Sequence, residues 1–318
     1  MANIMEYIQV GPYRISRLTL GTVALGMPYG ISNPKGQPLM KDGRQVLDAA
    51  FQAGITTLDT ARSYGQAERL IGTCLSGEQL PVVVTKFKLS AAALEDRYVA
   101  LVESRQSIRE SLQQLGLKCI PICLFHMERS MSAASLQPVL HRVFSDLKKE
   151  GLIDIAGVSV EHPDALGVFV EDSLLEAFQV PLNILDLRLL SSGLLSRLSQ
   201  AGKIVFARSI YLQGLFFMDP KKLKGNLLPA AKYLEQLRDL AASQCLSIQE
   251  IAFSFVAGLQ EVSSMVVGAV SPRQVSENVS LLHRSSLDPK IMQDIRELFS
   301  QVPEDILTPA SWVLPSSN

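Results

Sequence analysis

Eight short runs of apolar, largely β-branched residues alternate with longer segments of helical period along this chain, and few architectures accommodate that order. The runs are Leu18–Gly21, Thr57–Asp59, Pro81–Lys86, Ile120–His126, Ile155–Val160, Phe178–Leu182, Ile204–Ser209 and Met265–Gly268. Between them, Gly43–Ala53, Val99–Leu115, Leu136–Glu150 and Pro229–Gln244 carry apolar residues at three- and four-residue intervals, the spacing of one helical face. In Arg105–Gly116, Ile108, Leu112 and Leu115 share such a face, and Gly116 supplies the residue type that commonly ends helices. The strand runs are apolar almost throughout, as strands buried on both faces must be. Strand followed by helix in this succession predicts a parallel (β/α)8 TIM barrel.

A doubly wound open sheet is the competing arrangement, but it would bring a G-x-G-x-x-G turn, and Gly21 and Gly26 in GTVALG stand at the wrong spacing. Residues 1–17 read as a short hairpin turning at VGPYRIS and closing the barrel bottom, and Pro289–Gln301 as an extra helix before a proline- and serine-rich tail. With no linker or composition shift, a single domain over 1–318 is expected. Apolar residues make up 47% of the 318 and charged residues 19%, which suits a large core rather than disorder. A formal net charge of −1 argues against a nucleic-acid or anionic-membrane partner. No apolar run approaches the roughly 20 residues that span a bilayer, and the N-terminus lacks a signal-peptide pattern, so a cytoplasmic monomer is expected. Cys74, Cys119, Cys123 and Cys245 fit no metal or redox spacing and read as reduced, mostly buried small hydrophobes; no metal site is expected.

In such a barrel the active site forms where strands end and loops begin. The second run ends in Asp59 with Tyr64 beyond it (ITTLDTARSYG), the third in Lys86 (VVVTKF) and the fourth in His126 (ICLFH). Adjacent strands therefore deliver a carboxylate, a phenol, an ammonium and an imidazole to one rim. An ordinary phenol, with a pKa near 10, is a poor proton donor at neutral pH. An ammonium about 4 Å from its oxygen would lower that value by up to roughly 3 units at an effective dielectric of about 20, with burial opposing. Asp59 would keep Lys86 charged, and His126 would orient a substrate oxygen. Such a set suits acid–base work at a carbonyl receiving hydride.

GITTLDTARSYGQAERLIG, TKF at Thr85–Phe87 and LFH at Leu124–His126 resemble segments of the aldo-keto reductases. The likeness continues through GVSV, QVPLNIL, ARSIYLQGL and VVGAVSPRQVSEN, in order and over nearly the whole chain. The resemblance implies a barrel that holds an extended nicotinamide cofactor across its mouth, NADPH being expected and NADH the alternative, and that reduces aldehydes or ketones or runs the reverse. It implies Asp59, Tyr64, Lys86 and His126 as the catalytic tetrad. Gly21 and Thr22 fall at the cofactor rim, Ser159 and Gln179 match carboxamide-holding positions, and Ser209, Leu212 and Gly214 match a pyrophosphate loop. Glu277 and Asn278 resemble residues of the adenine end. Two places depart from the pattern. Arg208 stands where many members stack an aromatic ring, a task a planar guanidinium can also perform. Where a basic residue, a serine and an arginine often grip a 2′-phosphate, this chain has Gly268, Ala269 and Gln274; Arg273 either substitutes or is an exposed helix residue.

Tyr29 and the sole tryptophan, Trp312, are expected at the substrate, Trp312 as a lid or else packed on the barrel flank; the ARSIYLQG stretch suggests sugar-like carbonyls. A cofactor-binding regulatory subunit with little turnover is a second reading. A Schiff-base aldolase using Lys86 is a third, disfavoured because Asp59 holds the lysine charged.

Overall fold

The computed structural model describes residues 5–33, 36–75, 80–282 and 287–313. Two antiparallel strands, β1 (Tyr7–Val10) and β2 (Tyr13–Ser16), form the hairpin. Eight more follow: β3 (Leu18–Gly21), β4 (Thr57–Asp59), β5 (Val82–Phe87), β6 (Ile120–His126), β7 (Ile153–Ser159), β8 (Leu175–Pro181), β9 (Ile204–Arg208) and β10 (Ser264–Gly268). They pair in parallel in chain order, and β10 returns to β3, closing the barrel. Helices between successive strands cover the outside, among them Met40–Gln52, Arg97–Leu115, Ala133–Lys149 and Ala230–Ser243. Gly116 ends the second of these in the left-handed region, at φ 68°.

Side chains alternate across a strand, so each barrel strand sends one parity inward and the other toward the helices. The inward set, Val82, Val84, Ile122, Leu124, Ile155, Ala177, Ile204 and Phe206, packs as one cluster with Ile15 of the hairpin. That contact seals the bottom, as the sequence suggested, although residues 1–4 of the expected hairpin lie outside the described residues. The outward set, including Val83, Phe87, Cys123, Phe125, Val158, Phe178 and Val205, joins the helices in the larger core. Continuing the inward parity to the strand ends brings Asp59, Lys86, His126, Ser159, Gln179 and Arg208 to one ring. The alternation that fills the barrel thus also chooses the residues that face its mouth.

The extra helix is Pro289–Leu298, slightly shorter than expected. A short helix, Glu304–Leu307, and a 3-10 turn, Pro309–Ser311, lead the tail back to the strand-end face; residues 314–318 of that tail lie outside the described residues. Of the cysteines only Cys123 is buried; Cys74 and Cys119 are partly exposed and Cys245 is exposed, which corrects the expectation that most are core. No single described helix is long and apolar enough to cross a membrane.

Candidate active site

Asp59 is the hub of the mouth. Its Oδ1 accepts from Lys86 Nζ at 2.6 Å and from Gln179 Nε2 at 2.6 Å. The ammonium also donates to the Thr60 carbonyl at 2.8 Å, and Ser159 Oγ donates to Gln179 Oε1 at 3.1 Å. Four strand ends are thereby tied into one buried chain of hydrogen bonds. Burial lowers the Lys86 pKa, with the Asp59 charge and hydrogen bond opposing the fall. Thr22 is buried behind this chain, its hydroxyl and amide both donating to the Asp59 carbonyl at 2.8 and 2.9 Å.

Tyr64 lies above the pair, with Lys86 Nζ 5.0 Å from the centre of its ring. The sequence led us to expect a phenol pKa lowered by the ammonium. Instead burial, reinforced by the Asp59 charge, raises it, and Arg208 is the cation that opposes the rise. Desolvation is the largest cause, and Lys86 is engaged by Asp59 and Thr60. His126 is partly buried, and its Nδ1 has no hydrogen-bond partner. Desolvation, then the charges of Lys86, Arg208 and Lys88, push its pKa down to about 3, so the imidazole is neutral at physiological pH.

The loop carrying Tyr64 is held by close backbone packing. A Cβ on Gly26 would overlap the Tyr64 carbonyl oxygen, and one on Gly65 (φ +55°) would overlap the Gly26 carbonyl. Gln66 N donates to that same Gly26 oxygen at 3.0 Å. Behind the loop, buried Glu68 accepts from Thr85 Oγ1 at 2.7 Å and from Arg62 at 3.2 Å, and Arg62 also reaches Glu110. Neither Arg62 nor Thr85 carries a sequence signal for this role, and Gly26 shows in the sequence only as a glycine at the wrong spacing for a dinucleotide fingerprint.

Around the mouth the expected cofactor residues divide. Arg208 donates to the Val160 carbonyl at 2.9 Å and to Ser209 Oγ at 3.1 Å, while its buried Nε has no partner. Ser209, Leu212 and Gln213 all have positive φ (63°, 46° and 53°), and Gly214 follows at 90°. Consecutive strain of this kind costs about 1 kcal/mol or more per residue and persists only where surroundings impose it. Here the opposing loop does so: Ile31 N donates to Gln213 O at 3.0 Å, Tyr29 hydrogen-bonds the Gln213 side chain, and a Cβ on Gly214 would overlap Ser32 Oγ. Tyr29 is 37% exposed, yet its electrostatic neighbours include Arg208, Tyr64 and Asp59, so it belongs to this mouth.

Gly21 and Gly268 are register partners on β3 and β10; the rim is open at Gly268, while Val266 Cγ1 lies 3.2 Å from where a Cβ on Gly21 would stand. Next to it, Arg273 is exposed and bound to Glu277 at 2.7 Å, Gln274 is spent accepting from Val270 N at 2.8 Å, and Asn278 is buried. Trp312 takes no part in the tetrad's hydrogen bonds: its indole donates to the Asp305 and Ile306 carbonyls of its own tail, at 3.1 and 3.2 Å. The residue that fastens the tail to the rim is Glu304, paired with Arg129 at 2.8 Å, His162 at 3.1 Å and Arg188 at 3.5 Å. It closes a hollow of about 430 Å³ lined by Met127, Met131 and Val160 together with charged side chains of the loops after β6 and β7.

Residues 17–299 match the model of the aldo/keto reductase family. The chain belongs to that family. It is accordingly an oxidoreductase acting on carbonyl groups. Among curated members, the NADH-specific methylglyoxal reductase of Escherichia coli (strain K12) is 26% identical over 314 residues, covering 89% of this chain and 95% of the relative. L-glyceraldehyde 3-phosphate reductase of the same strain is 25% identical over 337 residues, covering 93% and 94%. The holo form of an aldo-keto reductase from Bacillus halodurans superposes with a TM-score of 0.74 at 22% identity, covering 93% of this chain and 96% of that one. The glycerol dehydrogenase of Gluconobacter oxydans gives 0.69 at 21%, covering 100% and 99%. At those identities the structural matches speak for the barrel alone.

Proposed function

We propose that this aldo/keto reductase interconverts a small hydroxylated aldehyde or ketone and its alcohol, with Tyr64 as the proton donor and a nicotinamide dinucleotide as the hydride source. The observation that carries the reading is the shared acceptor Asp59 Oδ1, which locks Lys86 and Gln179 beneath Tyr64 while His126 stays neutral beside them. The residues present fit the dinucleotide. Arg208 keeps a buried unpartnered Nε, Gly268 leaves the rim open, and the strained Ser209–Gly214 loop lies after the seventh barrel strand, where such barrels frequently bind phosphate.

A bound nicotinamide dinucleotide supplies or accepts the hydride. The chain's residues do the remainder. Ser159 and Gln179 would hold the carboxamide edge, Arg208 would back the ring, and Ser209, Leu212 and Gly214 would enclose the pyrophosphate. The neutral His126 ring donates its one N–H to the substrate oxygen and fixes its direction. Tyr64, kept protonated by burial, gives that oxygen its proton; in the reverse direction the phenolate removes it. Asp59 and Lys86 form the fixed floor beneath the Tyr64 ring.

The adenosine end supports NADH over the NADPH first expected. Arg273 is the one cation in Ser264–Leu282, and Glu277 already holds it. A carboxylate there repels a 2′-phosphate and suits a ribose hydroxyl, in line with the NADH-specific relative. The hollow closed by Glu304 at the rim bears Glu128, Glu161, Asp164 and Glu304 against Arg129 and His162, so a neutral substrate would approach past it more readily than a phosphorylated one. The test is titration with NADH and NADPH followed by turnover of methylglyoxal, glyceraldehyde and glyceraldehyde 3-phosphate. Reduction of the neutral carbonyls with NADH is expected; tight dinucleotide binding with no turnover of any carbonyl would instead mark a regulatory subunit.

A further inference from the structure

We propose that Arg208 makes the mouth of the barrel distinguish the redox states of its dinucleotide, binding the reduced form more tightly than the oxidised one. The inference rests on the nicotinamide reading above. Arg208 continues the inward series Ile204, Phe206 of β9 and so faces the mouth. Hydrogen bonds from its two terminal nitrogens, to the Val160 carbonyl at 2.9 Å and Ser209 Oγ at 3.1 Å, lie in the plane of the guanidinium. They fix its position without engaging its flat faces.

What distinguishes Arg208 from the other charges is that nothing cancels it. Lys86 is matched by Asp59 at 2.6 Å, so that pair is neutral overall wherever its proton resides. Lys88 is matched by Glu128 at 2.6 Å, and His126 is neutral. Among the described residues Arg208 has no carboxylate within ion-pair distance, and its buried Nε has no partner of any kind. Its charge is felt at Tyr64, Tyr29, Lys86 and His126 together, which marks it as central to the mouth.

The reduced and oxidised dinucleotides share adenosine and pyrophosphate; they differ in one positive charge on the nicotinamide ring. An aromatic residue in this place would stack on either ring. A guanidinium stacks on the neutral ring and repels the cationic one. Like charges about 4 Å apart correspond to a roughly fivefold ratio of affinities at the dielectric of water, and to about a thousandfold ratio at an effective dielectric near 20. The expected ratio of dissociation constants, oxidised over reduced, therefore exceeds about 5.

Calorimetric titration of the full chain, without carbonyl substrate, with NADH and NAD⁺ tests this. The wild type is compared with Arg208→Gln and Arg208→Tyr, each checked for folding by circular dichroism, so that one variant suffices if the other fails to fold. Removing the charge is expected to tighten NAD⁺ binding selectively and to reduce the ratio by about fivefold or more. A ratio unmoved in the charge-free variants would overturn the inference while leaving the proposed function standing. Failure of the wild type to bind either dinucleotide would overturn both.

Discussion

Asp59 and Lys86 form an ion pair at the mouth of the barrel, 2.6 Å apart, with side-chain exposures of only 5% and 0%. Charges so placed act as a unit. Removing one partner leaves the other buried without compensation, which typically costs about 3–5 kcal/mol, whereas replacing both by apolar groups is often nearly neutral. Urea unfolding of Asp59→Leu and Lys86→Met is expected to show single losses of that order. The double variant should regain most of the stability and none of the carbonyl turnover. Single losses below about 1 kcal/mol would contradict the coupling.

His126 gives a pH signature. Its folded pKa is depressed to about 3, by desolvation first and by the neighbouring cations next. The unfolded chain therefore binds a proton between the ordinary histidine value of about 6.5 and about 3 that the folded chain refuses, so this site contributes stability that is lost as pH falls through that window. His126→Gln should flatten part of the acid limb of a stability–pH curve. Proton NMR of wild-type His126 should show no titration between about pH 5 and 8; an inflection there assigned to this ring would refute the neutral donor.

The Tyr64 loop depends on two backbones meeting without side chains. Adding a methyl at Gly26 must push the Tyr64 carbonyl outward. A displacement of about 1 Å at a reacting group can cost on the order of 10²-fold in rate. Gly26→Ala is expected to lower kcat/KM by roughly that factor. NADH affinity should change far less. Equal losses in both would indicate general unfolding instead of a displaced donor.

The clasp between Gln213 and Ile31 gives a test of the proposed cofactor loop. Gly214→Ala combines an overlap with Ser32 and a φ of +90° that alanine resists, so the loop after β9 should open. Weaker dinucleotide binding with an unaltered ratio between NADH and NAD⁺ is the expected titration result. Undiminished affinity would detach this loop from the pyrophosphate.

Much of this architecture is legible in the residues because period two and period 3.6 alternate so regularly. The strand ends carrying Asp59, Lys86, His126 and Arg208 can be read directly, since an inward parity set by Val84, Leu124 or Phe206 simply continues. The start of β8 is less legible: Leu175 opens the strand, but Glu176 interrupts the apolar run, its carboxylate turned out to Lys148 at 2.6 Å. Helices Arg97–Leu115 and Ala133–Lys149 begin before their apolar periodicity does, capped by Asp96 and Ser132. The electrostatic balance at Tyr64 is not local information, because its sign is set by burial among other elements and by the charges of Asp59 and Arg208. Glu304 escapes notice for the same reason: nothing near it in the chain announces the three cations that meet it. Trp312 attracts attention by being the sole tryptophan, yet its indole turns to Asp305 and Ile306.

The most direct test of the account is carbonyl reduction by Tyr64→Phe, measured beside NADH binding by the same preparation. Loss of general-acid catalysis predicts a fall in kcat of about 10²–10⁴-fold with dinucleotide affinity preserved. Turnover within a few-fold of wild type would show that the proton comes from elsewhere and would contradict the assignment of Tyr64.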